Sequence, residues 1–556
     1  AAINLAGSSL YSIMSIFSQA KSDMSFVKID PKKLSKKGLK KRRRGQSTIA
    51  GIIISIITAV CICLFLFRML PLGLVPNLYA ILVVVILGAL WAYCFISQFS
   101  RHKLIGKIVA IFLSVVSIYG FMFSSKIVDS FGSMAGGNYV KKDTIDVVVL
   151  DRDKANNIED TLKYTFVYNE SSDVDLTKKT IGMINEENSS VIDTIKFSDW
   201  DDVLEALYDN TDAQAVLIKD SIYQSVIKDS YSSYYDETKV VAQYTISTEV
   251  AAATTDIDVS KDPFVVYISG NDEQGDIKST GRSDVNILLI ANPKTREILM
   301  VSTPRDSYIM VEDAEGDRGY DKLTHAGLAG IEYSEKALSE LYGVPIDFYM
   351  KLNFTGVVNV VDSLGGITVN SDVEFTNGTD AAPIRYHFEK GENELDGAMT
   401  LAFCRERHNF ADGDFQRGRN QMAALDGIIK KVTSPAILTN YSGVLDAFSN
   451  MVYTNMPVSS LTSLIRSQLA GGEQWHIQSY AIEGEPSVRN CQVYGLKNVS
   501  VDIVDKDTVD IATELINKTI TGEKVDVEEF VASYTSTNSS TTVNSSSLYS
   551  DDDEDE

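Results

Sequence analysis

The chain has 556 residues and a formal net charge of −24 at pH 7. This length is too great for one compact core, so we expect two or three domains besides any membrane segment. The acidic excess argues against nucleic acid as a partner of the main body of the protein. The one strongly basic stretch, residues 32–45, lies beside an apolar run, which is typical of a membrane topology signal rather than of a nucleic-acid site.

Three apolar runs in the first quarter of the chain predict transmembrane helices over residues 48–67, 74–99 and 104–123. Each run reaches the roughly 20 residues that span a hydrocarbon core. The basic residues at 32–45 and 101–103 flank these runs and, by the positive-inside rule, place the amino-terminal segment 1–47 in the cytoplasm. Everything after about residue 124 should therefore lie outside the cell.

The rest of the chain predicts two α/β domains. Residues 124–143 contain Gly and Ser and predict a linker. An accessory domain over 144–255 should have strands at 144–151 and 239–250 and helices at 157–169 and 200–210. Strands and helices from 262 to 525 predict an α-β-α layered domain. The tail 534–556 is polar and terminally acidic, which is typical of disorder.

Two of the five cysteines, Cys404 and Cys491, lie outside the apolar runs. We expect them to be free thiols, with a disulfide between them as the alternative. No spacing typical of a zinc site accompanies them.

Charged residues follow three successive strands, "FVVYIS", "VNILLIAN" and "EILMVST". The connections are short enough for an antiparallel meander. One edge of such a sheet would bring together Asp272, Arg282, Asp284, Arg305 and Asp306. Carboxylates suit Mg²⁺, and arginine binds phosphate oxygens through its planar fork. A magnesium–phosphate centre and a set of surface ion pairs are the two interpretations of this edge.

A second basic group lies in "CRERHNFADGDFQRGRNQ", residues 404–421. Arg405 and Arg407 are two positions apart, so in an extended segment they would project to the same face. The acidic residues between the arginines are too few to pair with all of them, which favours an anion site over a solvated charged face.

The same segment predicts a helix that begins near Asp414. Arg417 and Gln421 would share one face of that helix, whose N-terminus also offers backbone N–H groups to an anion. Arg419 would point elsewhere, and we expect it to be structural.

Five segments in order resemble the LytR-CpsA-Psr family: "GRSDVNILLIANP", "MVSTPRDSYIMV", "DKLTHAGLAG", "FTGVVNVVDSLGGITV" and "LAFCRERHNFADGDFQRGRNQ". The likeness is dense over 265–435, and the three helices with an accessory domain resemble the CpsA-like subgroup of streptococcal capsule loci. The resemblance implies an α-β-α sandwich with an apolar groove for a polyprenyl chain. It also implies a bacterial membrane enzyme that transfers a glycopolymer, capsular polysaccharide, from a polyprenyl pyrophosphate carrier to peptidoglycan.

The resemblance carries roles to individual positions. By the family pattern, Mg²⁺, with Mn²⁺ as the alternative, would be held by Asp272 and Asp284. The pyrophosphate would be bound by Arg282, Arg305, Lys322, Arg405, Arg407, Arg417 and Gln421. The catalytic group would comprise Arg282, Asp284, Arg305, Asp306, Asp414 and Arg417. Asp306 and Asp414 would orient arginines, and either could assist the acceptor hydroxyl.

His408, Phe415 and Cys404 depart from the family pattern without removing a proposed phosphate ligand. Two other functions stay open: a hydrolase of the same pyrophosphate, and a sensor that binds lipid-linked sugar without turnover and regulates capsule synthesis. The implied partners are the lipid-linked glycopolymer, peptidoglycan, the membrane and other capsule-assembly proteins, with nucleic acid excluded.

Overall fold

A computed structural model describes residues 18–71, 73, 77–100, 102–134, 139–209, 212–250, 255, 257–271, 280–410, 413–434, 452–471 and 474–538. The chain divides into two compact units. The first comprises Ala1–Phe131 and Leu461–Gly471, and the second comprises Gly132–Ser460 and Gly472–Glu556.

Three long helices dominate the first unit: α1 (Lys36–Met69), α2 (Asn77–Ser97) and α3 (Lys103–Met134). All three are long and apolar enough to cross a membrane, which confirms the predicted number of spans. Short 3₁₀ turns at Phe26–Lys28 and Pro31–Lys33 precede α1. The predicted linker 124–143 is wrong, because α3 continues through its first part and a strand takes its last residues.

Small and hydroxyl-bearing residues hold these helices together. Gly51 of α1 leaves room for the side chain of Gln98. A Cβ at position 51 would clash with that side chain. Thr58 Oγ1 lies 2.9 Å from Ser114 Oγ, which joins α1 to α3. Such close approaches are typical of helices packed in lipid, where interhelical contacts cannot rely on the hydrophobic effect.

The second unit begins with an α/β region. In chain order its elements are β1 (Tyr139–Leu150), α4 (Ile158–Thr161), β2 (Thr165–Asn169), α5 (Val174–Asn188), β3 (Asp193–Phe197), α6 (Trp200–Tyr208), β4 (Ala215–Lys219), α7 (Asp220–Ile222), a π-helical stretch (Tyr223–Ile227), α8 (Lys228–Ser230), α9 (Ser232–Asp236) and β5 (Thr238–Val250). The strands form one sheet in the order β3-β2-β4-β1-β5.

The predicted helix over 157–169 is wrong for most of its length. Only α4 is helical, and residues 165–169 form β2, which pairs in parallel with both β3 and β4. The segment "TFVYN" is rich in aromatic and β-branched residues, and pairing on both sides decides in favour of a strand. The predicted helix at 200–210 and the strand at 239–250 are confirmed by α6 and β5.

The remaining elements of the described chain comprise a six-stranded sheet, four two-stranded sheets and further helices. They are β6 (Phe264–Asn271), β7 (Val285–Asn292), β8 (Glu297–Ser302), β9 (Tyr308–Glu312), β10 (Arg318–Lys322), α10 (Leu323–Ala329), α11 (Ile331–Tyr342), β11 (Phe348–Asn353), α12 (Phe354–Ser363), β12 (Ile367–Ser371), β13 (Phe375–Thr376), β14 (His387–Phe388), β15 (Gly391–Leu395), α13 (Gly397–Arg405), α14 (Asp414–Thr433), β16 (Val452–Thr454), α15 (Val458–Gly471), β17 (His476–Ala481), β18 (Gly484–Cys491), β19 (Leu496–Val504), α16 (Lys506–Thr521) and α17 (Val527–Asn538). The six-stranded sheet has the order β16-β11-β6-β7-β8-β17.

Helices cover both faces of this sheet. Leu288 of β7 joins a buried apolar cluster that includes Leu515 of α16. Its neighbour Ile287 faces the other way and lines a cavity with Ala424 and Ile428 of α14. Because successive residues of a strand point to opposite faces, this sheet separates two helical layers. The predicted α-β-α sandwich is confirmed.

Two smaller predictions have different outcomes. The predicted disordered tail begins too early, because α17 extends to Asn538 and the ring centroids of Phe530 and Tyr534 lie 6.2 Å apart. Residues 539–556 lie outside the described residues. Cys404 and Cys491 are both buried free thiols, so the alternative of a disulfide is wrong. The boundary between the accessory and catalytic domains stays a prediction.

Candidate functional site

The predicted meander is present. β6 pairs antiparallel with β7, and β7 pairs antiparallel with β8. Gly270 lies opposite Val285, and Ile287 lies opposite Ser302, so the end of β6, the start of β7 and the end of β8 meet at one edge. Asp272 lies outside the described residues, and its assignment as a metal ligand stays a prediction.

An ion pair forms the middle of this edge. Arg305 Nη1 donates to Asp284 Oδ1 at 2.6 Å, and both side chains are largely buried. Burial alone would raise the pKa of Asp284, but Arg305, Arg417 and Arg282 together hold it below its ordinary value. Burial would likewise lower the pKa of Arg305, which neighbouring carboxylates instead raise. The pair is therefore fully charged at neutral pH. Arg305 Nε is buried and has no hydrogen-bond acceptor among the described residues.

Lys322 and Asp306 extend the site on one side. Lys322 Nζ donates to Asp306 Oδ1 at 2.9 Å. Burial acts to raise the pKa of Asp306, but Arg305 and Lys322 lower it to about 2. The buried carboxylate of Asp321 holds this segment in place, since it accepts from the Lys322 backbone N–H at 2.7 Å and lies 2.6 Å from His325 Nδ1.

Helix α14 supplies the opposite side, and it begins at Asp414 as predicted. Gly418 brings the first turns of this helix against the end of β8, because a Cβ at this position would lie 2.8 Å from Ser302 Oγ. Arg417 Nη2 pairs with Asp414 Oδ1 at 2.7 Å, and both residues face the meander edge. Arg419 instead contacts Gln416 on the same helix at 2.6 Å.

Buried positive charge is crowded at this point. Burial is the main cause that lowers the pKa of Arg417, and the nearby charges of Arg305 and Arg407 lower it further. Asp414 and Asp284 act in the opposite direction but do not offset this effect. Like charges are held together at an energetic cost that a bound anion would relieve.

Arg405 is not in an extended segment, and that expectation is wrong. It is the last residue of α13, and only Glu406, whose backbone is extended, separates the helix from Arg407. The common-face argument for the two arginines therefore fails, although the charge of Arg407 still acts on Arg417. Gln421 is buried and its Nε2 donates to the Cys404 carbonyl at 3.4 Å, which joins α14 to the end of α13.

The sequence did not predict that one further carboxyl group, that of Asp502, belongs to this region. Asp502 lies on β19, and its backbone N–H donates to the Asp306 carbonyl at 2.8 Å. Burial, together with the charges of Asp306 and Asp414, raises the pKa of its carboxyl to about 6. Nearly two hundred residues separate Asp502 from the meander edge in the chain, and no local pattern around "SVDIV" marks it.

An apolar cavity opens beside the charged edge. It lies between the sheet and helices α12, α13 and α14. Its lining includes Val285, next to Asp284, and Cys404 and Gln421, next to the arginine segment. Leu352, Val357, Leu401 and Leu425 are among the apolar side chains that form the rest. A cavity with an apolar body and a cationic side suits a ligand with a hydrocarbon chain and an anionic head.

The model of the LytR_cpsA_psr family matches residues 225–510. The chain belongs to the LytR_cpsA_psr family. A similar relative is the polyisoprenyl-teichoic acid–peptidoglycan teichoic acid transferase TagU of Bacillus cereus (strain ATCC 14579), 36% identical over 205 residues. That match spans 36% of this chain and 64% of the relative. TagU of Bacillus subtilis (strain 168) is 35% identical over 225 residues, which are 40% of this chain and 69% of the relative.

Among solved structures, protein gbs0355 from Streptococcus agalactiae matches with a TM-score of 0.40 and 26% identity. That match covers 47% of this chain and 88% of the other. The match to TagU of B. cereus, by comparison, spans 64% of that relative, which is less than two thirds of its length.

The carboxylate oxygens at the charged edge of β6, β7 and β8 fit the expected magnesium ion. Asp284, the one of the two expected ligands that the structure describes, has a lowered pKa, so it offers ionised carboxylate oxygens at neutral pH. Hard oxygen donors of this kind are those that Mg²⁺ prefers, and the ion commonly shares them with substrate phosphate. The requirement for Mg²⁺ stays a prediction.

Proposed function

We propose that this protein transfers a glycopolymer from a polyisoprenyl pyrophosphate carrier to peptidoglycan, with capsular polysaccharide as the polymer. The observation that carries the proposal is the buried cluster of Arg305 and Arg417 beside the apolar cavity. The arginines suit the pyrophosphate, and the cavity suits the isoprenyl chain. The similar TagU proteins are named as transferases of teichoic acid to peptidoglycan, which supports the same reaction class.

The proposed reaction is a phosphoryl transfer. A hydroxyl oxygen of peptidoglycan attacks the phosphorus that bears the polymer, and a new P–O bond forms. The bond from that phosphorus to the bridging oxygen breaks, and the polyisoprenyl monophosphate leaves. The product is a phosphodiester between polymer and wall. Arg305 and Arg417 stabilise the charge that develops on the phosphate oxygens, which is the main catalytic requirement in phosphoryl transfer.

The acceptor hydroxyl must lose its proton, and Asp502 is the best-suited base. Asp306, with a pKa of about 2, is too weak a base, and Asp414 is held by Arg417. A carboxyl with a pKa near 6 is ionised at neutral pH and still accepts a proton readily. Mg²⁺, bound by Asp284 together with Asp272, would neutralise further charge on the pyrophosphate.

The proposed location follows from the three apolar helices. They anchor the protein in the bacterial cell membrane, and the basic residues before α1 favour a cytoplasmic N-terminus. The site would then lie outside the cell, where the energy for transfer comes from the activated carrier. A membrane anchor also keeps the site close to its lipid substrate.

The test uses the full chain in lipid nanodiscs with a polyisoprenyl pyrophosphate-linked glycopolymer and peptidoglycan fragments. The two products, polyisoprenyl phosphate and wall-linked polymer, are measured separately with and without Mg²⁺. Arg417→Ala should reduce transfer by about a hundredfold or more, since it removes a buried phosphate donor. Arg419→Ala removes the same charge two residues away on the same helix and should leave transfer near the unsubstituted level.

The outcomes separate the three functions. Transfer predicts equal amounts of the two products, and only with acceptor present. Release of polyisoprenyl phosphate without acceptor would indicate the hydrolase. Binding of the carrier without release of either product would indicate the sensor and would refute transfer. Equal losses in the Arg417 and Arg419 variants would refute the assigned site.

A further inference from the structure

Arg282, a proposed pyrophosphate ligand, is paired with a residue of the accessory region, which is the part of the chain from β1 to β5. Arg282 Nη1 donates to Asp229 Oδ2 at 2.7 Å. Asp229 lies in α8, within the helical connection between β4 and β5 of the five-stranded sheet. The Tyr-rich segment around it, "SIYQSVIKDSYSSYYDE", has no role in the site described so far. The accessory region thus contacts a side chain of the meander edge directly.

The burial of the two partners is unequal. The side chain of Arg282 is 14% exposed, whereas that of Asp229 is 59% exposed. Asp229 therefore approaches the guanidinium from the solvent side. Arg282 itself stands two residues before Asp284, the carboxylate of the ion pair at the centre of the site.

Within the described part of the chain, the hydrogen bonds of Arg282 leave one edge of its guanidinium available. Nη1 is taken by Asp229, and the buried Nε has no hydrogen-bond acceptor among the described residues. Nε and Nη2 form the edge through which an arginine binds two oxygens of a phosphate at once. A buried donor without a partner is costly, and a bound anion would satisfy it.

Other contacts fix the accessory region to the same part of the site. Thr280 Oγ1, two residues before Arg282, donates to Asp143 of β1 at 2.9 Å. Lys219 Nζ of β4 donates to the Leu328 carbonyl of α10 at 2.9 Å. The region that carries Asp229 is thus joined to Thr280, close to Arg282, and to Leu328 of α10, which holds Asp229 as a fixed hydrogen-bond acceptor.

We propose that Asp229 is a positioning residue of the pyrophosphate site, which holds Nη1 of Arg282 so that the Nε–Nη2 edge faces the anion. The accessory region then contributes a residue to the pyrophosphate site. This inference rests on the proposed function, because it takes the pyrophosphate head group as the ligand.

The experiment measures binding of farnesyl pyrophosphate, a soluble isoprenyl pyrophosphate, to the full chain in nanodiscs with Mg²⁺. Asp229→Ala should weaken binding about tenfold, as expected when one oriented charge-assisted pair is lost. Asp229→Asn keeps an oxygen that accepts from Nη1 and removes a negative charge near the anion, so its affinity should stay within about twofold of the unsubstituted protein.

Two controls sharpen this result. Glu170→Ala removes an exposed carboxylate that pairs with Lys196 of β3 and not with Arg282, and it should leave the affinity unchanged. In an Arg282→Ala background, Asp229→Ala should have no further effect, since the two residues act as one unit. Thermal unfolding of each variant checks that the fold is intact.

Each remaining outcome overturns the inference. Tighter binding by both Asp229 variants would mean that Asp229 competes with the anion. Unchanged binding by Asp229→Ala, equal losses for Ala and Asn, or additive losses with Arg282→Ala would exclude positioning. If the unsubstituted chain neither binds the probe nor transfers polymer, the proposed function fails as well. If it does both and only the Asp229 predictions fail, the proposed function stands alone.

Discussion

Replacing Gly418 by alanine tests whether the close approach of α14 to β8 sets the geometry of the site. A Cβ at 418 would lie 2.8 Å from Ser302 Oγ, whereas ordinary contacts begin at 3.4 Å. The helix must therefore move by about 0.6 Å or the serine must rotate within a close-packed interior. The first turn of α14 carries Arg417, so this displacement moves Arg417 relative to Arg305.

The magnitude follows from this displacement. A misplacement of about 1 Å can cost about a hundredfold in rate, so about half of that should reduce kcat/KM for transfer about tenfold. Alanine also favours a helix interior over glycine by about 1 kcal/mol, which offsets much of the clash. We therefore expect the free energy of unfolding to change by less than about 1 kcal/mol. Transfer kinetics and chemical denaturation of the same preparations measure the two effects.

A second variant makes the test specific. Ser302→Ala removes the atom that the new Cβ meets, so the double variant Gly418→Ala/Ser302→Ala should regain most of the transfer rate. Ser302→Ala alone serves as the control. The reasoning is refuted if Gly418→Ala transfers at the unsubstituted rate, or if the double variant is as impaired as the single one.

Two further predictions concern titration and burial. If Asp502 is the base, kcat/KM should rise with pH through about 6. Asp502→Asn should remove that rise, whereas a retained pH profile would exclude the role. Because the folded pKa of Asp502 lies above the ordinary value of 3.8, its ionisation as the pH rises from 3.8 through about 6 destabilises the fold, and Asp502→Asn should flatten the stability profile in that window. Lys219 is 1% exposed and pairs with Asp173 at 2.9 Å and Asp143 at 3.1 Å. Lys219→Met should therefore cost about 3–5 kcal/mol in the free energy of unfolding by leaving two carboxylates uncompensated, whereas Lys196→Met, which breaks an exposed pair, should cost less than about 1 kcal/mol. Chemical denaturation of the full chain measures both, and equal effects would show that burial does not set the cost.

Much of the site could be predicted because its signals are local. Short connections between apolar strands indicated the meander, which places Arg282, Asp284 and Arg305 at one edge. Helical periodicity indicated α14 and placed its start near Asp414. The failures occurred where neighbours in space override local preference: β2 forms because it is paired on both sides, and Arg405 ends a helix that begins at Gly397.

The sequence by itself determined the three membrane helices, the meander and the basic residues of α14, since length, hydropathy and periodicity are properties of a continuous segment. Only the tertiary structure decided which charged groups share a site. Asp229 and Asp502 approach the arginines from elements far away in the chain, and their roles depend on distance, burial and the charges around them. Coulomb interactions and desolvation depend on positions in space, and no order of residues along the chain specifies them directly.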